Sequence, residues 1–96
     1  MRAAAQLLLR ERLIVGDNQF ADIVIWRVPN PVAGSAHGFK YRLAFVVDDA
    51  CVMRFDDETG KGDHKPVGPR QRPYVFMSVQ QLIDDFWNEV DEWSRR

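Results

Sequence analysis

Ninety-six residues form the chain, of which 46% are hydrophobic, 11% aromatic and 28% charged, with a net charge of −1. This length and balance exclude a disordered or fibrous protein, leave no room for a second domain over residues 1–96, and oppose indiscriminate polyanion binding. A lone Cys51 cannot form an intramolecular disulfide, so it reads as a small core residue in a reducing compartment.

The opening Met1 to Leu9 segment has one positive charge and a short apolar run. Arg10, Glu11 and Arg12 interrupt it before it reaches the length of a signal core or membrane span, so a cytoplasmic protein is expected. From Leu7 to Val15 the chain alternates and meets the turn residues Gly16-Asp17-Asn18, the pattern of a strand entering a hairpin. Ala3 to Ala5 and the following leucines keep a helix over residues 3–12 open. The return strand is Phe20 to Val28, stopped at Pro29-Asn30-Pro31. Residues 29–38 have loop chemistry and include His37, a weak second candidate for proton transfer. Phe39 to Val47 alternates strictly, Asp48-Asp49 turns the chain, and Cys51 to Asp56 returns. Residues 57–72 read as the longest loop, and Pro73 to Met77 as a short extended piece.

Ser78 with Gln81 predicts a capping box, and Met77 with Leu82 a hydrophobic staple. Val79, Leu82, Ile83, Phe86, Trp87, Val90 and Trp93 then recur at helical spacing, opposite Asp84, Asp85, Glu89, Asp91 and Glu92. The acid is concentrated here: residues 78–96 carry −3, whereas residues 1–77 carry +2. The expected architecture is α+β: an antiparallel β-meander of four to five strands, packed on one face by a C-terminal amphipathic α-helix. That face would collect Phe39, Tyr41, Leu43, Phe45, Cys51, Met53 and Phe55. The opposite face would gather Lys40, Arg42 and Arg54, joined by Arg10 and Arg12 if the first element is a strand.

The chemistry concentrates in residues 56–65. Glycines at 60 and 62 free the backbone to offer N–H groups to an anion, and Lys61 and Lys65 flank His64 with positive charge. The phosphate-loop spacing GxxxxGK[ST] is absent. His64 titrates near neutrality and suits general acid or base work, with Asp63 beside it as an indirect orienting group. Asp56, Asp57, Glu58, Asp63 and His64 could ligate a metal, but match no EF-hand or zinc motif, and the lysines oppose a dication. No serine or Cys51 has a nucleophile context, and no cofactor is expected.

Ile25 to Pro29, Phe39 to Phe45, the run Arg54 to Lys65 and the closing Leu82 to Trp93 helix together resemble the TumE-like toxin family of bacterial type II toxin–antitoxin systems. The resemblance spans nearly the whole chain. It implies a short cytoplasmic toxin neutralised by a helix-turn-helix antitoxin, with ribonuclease action expected by analogy with other small toxins. A metal-independent endoribonuclease would use His64, Lys61, Lys65 and Asp63 for the reaction and Lys40, Arg42 and Arg54 for backbone phosphates. Tyr41 is a stacking candidate, although its parity places it on the buried face. A non-catalytic nucleic-acid or partner-binding module and a metal-dependent nucleotidyl or phosphoryl transferase holding its ion on Asp56 and Asp63 are the alternatives. The basic face is the expected docking surface for the antitoxin, and a homodimer is compatible with the same reading.

Overall fold

The computed structural model describes residues 4–30, 37–58, 62–64 and 74–95. Five strands follow one another in space as they do in sequence: β1 (Gln6–Gly16), β2 (Gln19–Arg27), β3 (Phe39–Val47), β4 (Ala50–Glu58) and β5 (Gly62–His64). Each pairs antiparallel with the next, and the helix α1 (Val79–Ser94) follows.

The first element is a strand. Its residues run against nearly the whole of β2, from Gln6 opposite Arg27 to Gly16 opposite Gln19. A helix here would have left the outer ladder groups of β2 without partners, which is costly where the other side of that strand is buried. Asn18 takes the left-handed backbone conformation at the β1–β2 turn, with φ of 55°. Asp48 and Asp49 both do so at the β3–β4 turn, with φ of 49° and 66°. Short polar side chains tolerate that region, and two such residues in a two-residue loop match the twist of the flanking strands. The Asp48 N–H donates to the Asn18 carbonyl at 2.9 Å, tying the two turns together.

One face of the sheet is covered by α1. Ala21, Ile23 and Ile25 of β2, Tyr41, Leu43 and Phe45 of β3, and Met53 and Phe55 of β4 are buried with Leu82, Phe86 and Val90 of the helix. The aromatic rings interlock edge to face: Phe55 meets Phe86 at 5.8 Å and 81°, and Phe45 meets Trp93 at 5.5 Å and 83°. Tyr74, just before the helix, packs edge-on to Phe55 at 5.2 Å, and its hydroxyl donates to Asp85 Oδ2 at 2.6 Å.

Three expectations are corrected. Cys51 is exposed instead of buried, because the register shifts between Phe45 and Val46 and sets Cys51 opposite Val46 rather than on the helix side with Met53. Its thiol donates to the Met53 carbonyl at 3.3 Å. The staple does not form: Met77 is 72% exposed while Leu82 is fully buried. Ser78 does cap the helix, its Oγ accepting from the Gln81 N–H at 3.0 Å, but Gln81 turns its amide to Asp85 Oδ1 at 2.8 Å instead of reaching back. Finally, the polar loop begins later than expected, because β4 runs on to Glu58 and residues 62–64 return as β5. Asp56 and Asp57 are therefore strand residues, 6% and 2% exposed. Asp57 Oδ1 accepts the Tyr41 N–H at 2.8 Å, which lets a buried carboxylate continue the β3–β4 ladder.

Candidate anion-binding face

The side of the sheet away from α1 is organised by strand register. Side chains directly opposite one another in an antiparallel pair share a face, and neighbouring strands lie about 4.8 Å apart. One transverse row runs Arg10, Val24, Arg42, Asp56, and ends at the backbone of His64. The next row, two residues along each strand, is Arg12, Asp22, Ala44 and Arg54. A third places Trp26 opposite Lys40.

Each acid in these rows is bound to an arginine. Arg12 grips Asp22 with two hydrogen bonds, Nε to Oδ1 at 2.7 Å and Nη2 to Oδ2 at 2.9 Å, while its guanidinium carbon lies 4.3 Å from the centre of the Phe20 ring. The Arg12 hydrogen bond holds the Asp22 carboxyl below its ordinary value, with partial burial acting in the opposite direction and the charges of Arg12 and Arg42 adding to the lowering. The same bond raises Arg12. Arg54 Nε lies 2.7 Å from Asp56 Oδ2 on the same strand. Arg10, Lys40 and Arg42 are exposed and make no ion pair among the described residues. A concavity of about 420 Å³ opens between Arg10, Arg12, Asp22, Val24 and Arg42.

The register thus brings Arg10, Arg12, Lys40, Arg42 and Arg54 onto one face, in line with the basic face expected from the alternation. Tyr41 does not join them. It is 3% exposed on the helix side and stacked on Phe76 at 5.7 Å. His37 also lies with the helix-side aromatics, its ring 4.0 Å from that of Phe76 and its Nδ1 accepting the Phe39 N–H at 3.2 Å. Lys61 and Lys65 lie outside the described residues. Asp63 and His64 enter through their backbone, which pairs with Asp57 and Asp56 respectively.

Two features of this face escaped the sequence reading. Trp26, half-buried beside Lys40, joins Phe20 as an aromatic residue of the cationic side, as its even parity with Asp22 and Val24 indicates. The Arg12–Asp22 pair was hidden by an irregularity: counting outward from the Asp17-Asn18 turn sets Arg12 opposite Ile23, and only the register shift between Ile14 and Gly16 brings it to Asp22.

The pattern of the family described as Toxin TumE matches residues 4–94. The chain belongs to the TumE toxin family. It is the toxin component of a toxin–antitoxin system, and an antitoxin is its partner. No curated protein and no solved structure matches the chain. Among the described residues of this TumE-family toxin no helix is long and apolar enough to cross a membrane.

Proposed function

We propose that this toxin acts on RNA in the cytoplasm, as a metal-independent endoribonuclease whose open sheet face holds the phosphate backbone. The observation that supports this reading is the transverse row Arg10, Val24, Arg42 and Asp56, which ends at the backbone of His64 and sets two cations in line with it. Two strand spacings, about 10 Å, separate Arg42 from His64 along that row, comparable to the reach of one nucleotide with an extended arginine. Arg10, Lys40 and Arg42 supply charge that no acid has claimed among the described residues, and Trp26 offers a ring to an unstacked base.

Cleavage by this route joins the 2′-oxygen to phosphorus and breaks the bond from phosphorus to the 5′-oxygen. His64 takes the 2′-hydroxyl proton or returns one to the leaving oxygen, Asp63 assists its orientation, and Lys61 and Lys65 stabilise the charge on the phosphorane. Asp56, held by Arg54, is poorly disposed to ligate a dication with Asp63, which disfavours the metal-dependent transferase reading. The antitoxin is proposed to be a helix-turn-helix protein.

The His64→Ala variant should lose cleavage of purified RNA and growth inhibition while its thermal midpoint stays nearly unchanged. A folded variant that remains toxic rejects the role. RNA binding without any product from the wild-type protein would leave a binding module, and activity abolished by EDTA would return the metal-dependent reading.

A further inference from the structure

Strand β1 contributes no residue to the buried core, and only Leu9 packs against its edge. Leu7, Leu8, Leu13, Ile14 and Val15 are between 37% and 77% exposed, five of the seven exposed large hydrophobic residues among those described. The strand is bonded to β2 along one side and forms the edge of the sheet on the other. Eleven residues make an edge of roughly 36 Å, and an edge that long with leucines on both faces is a template for another strand.

We infer that β1 takes up an extended segment of the antitoxin as a sixth strand. That segment would carry carboxylates at alternate positions against Arg10 and Arg12, and apolar side chains against Leu9 and Leu13. The partner's chemistry follows from the two faces. Arg10 and Arg12 lie on the open side with Ile14, and Leu9 and Leu13 flank Glu11 on the helix side. Side chains of an added strand would sit about 5 Å from these, close enough for opposite charges to stabilise the pairing and like charges to oppose it.

A second copy of the chain fits poorly. Antiparallel pairing about a twofold axis places the central residue opposite itself. Centred on Glu11, it sets Glu11 against Glu11 and Arg10 against Arg12. Centred on Arg10 or Arg12, it sets like guanidinium groups together. Centred on Leu9 or Leu13, it sets Glu11 opposite Leu7 or Val15 and one arginine opposite Leu8 or Ile14. A strand with carboxylates opposite Arg10 and Arg12, apolar residues opposite Leu9 and Leu13, and a polar or basic residue opposite Glu11 avoids these conflicts. Its carboxylates would enter the concavity between Arg10, Arg12 and Arg42, occupying Arg10 and Arg42, two of the cations proposed above to hold phosphate.

The inference rests on the antitoxin being the partner and is independent of the RNA chemistry. Hydrogen–deuterium exchange of the toxin, alone and with its cognate antitoxin, tests it without RNA. Amides of residues 6–16 should exchange more slowly in the complex, and the Arg10→Glu/Arg12→Glu variant should weaken binding by about tenfold or more. An Arg10→Lys/Arg12→Lys variant should retain most of the affinity. Exchange over residues 6–16 that is unchanged in the complex overturns the proposal, as does slowing of the same amides by raising the toxin concentration alone, which would assign the edge to a second copy. Absence of product in an RNA digest would reject the ribonuclease reading and leave this one standing.

Discussion

Arg12 is held from two sides, by the Asp22 carboxylate and by the Phe20 ring, so one guanidinium on an exposed strand has a fixed position. The pair has a pH signature. Asp22 is held below its ordinary value by the Arg12 hydrogen bond, so its native carboxyl ionises at lower pH than the unfolded one. Its contribution to stability is therefore present above the unfolded value of about 3.9 and is lost as pH falls through the lowered native value. Thermal midpoints from roughly pH 3 to pH 6 should show a smaller acid decline in Asp22→Asn than in the wild type. Parallel curves would show that the pairing carries no linkage. The side chains of Arg12 and Asp22 are 61% and 40% exposed, so added salt should shrink the difference between the two proteins. Asp57 shows the same economy of polar groups inside the sheet, its carboxylate replacing a backbone acceptor for Tyr41.

Helix α1 depends on the sheet more than on itself. It has no acidic residue in its first turn and no basic residue in its last, so its dipole is not compensated by its own terminal charges. Its stability comes from Leu82, Phe86 and Val90, with Ser78 satisfying one open amide at the start. Phe86→Ala should cost about 3–5 kcal/mol in urea denaturation, a large part of the total stability of a small domain. Ser78→Ala should cost about 1 kcal/mol. Met77→Ala should change little, since that side chain is already in solvent. A substantial loss in Met77→Ala would mean that the staple forms in solution.

Among the described residues, charge differs between the two sides of the sheet. Asp84, Asp85, Glu89, Asp91 and Glu92 belong to the helix on one side of the sheet, and Arg10, Arg12, Lys40, Arg42 and Arg54 belong to the other. The near-neutral total thus combines, among the described residues, two sides of opposite sign, a distribution that would orient a polyanion on approach. Binding of a short single-stranded RNA should therefore weaken as salt rises. Replacing Arg42 with Gln should lower the magnitude of the slope of log K against log salt by about 0.7, the amount expected for one phosphate contact. A variant with lower affinity and an unchanged slope would place Arg42 outside the phosphate contacts.

Local rules in the sequence determined most of the fold. Alternation marked β1 to β4, Asp and Asn marked the turns, and Ser78 with its periodic apolar stripe marked the helix, because each of these signals acts within a few residues. The same alternation separated Lys40, Arg42 and Arg54 from the buried face. Tertiary structure decided what depends on pairing. The register shift after Phe45 turned Cys51 outward, and the ladder drew Asp57 and Glu58 out of an apparent loop into β4. Strand register also put Arg10, Arg42 and the His64 backbone in one transverse row, since residues more than fifty positions apart fall into line across a sheet only when five strands pair in order.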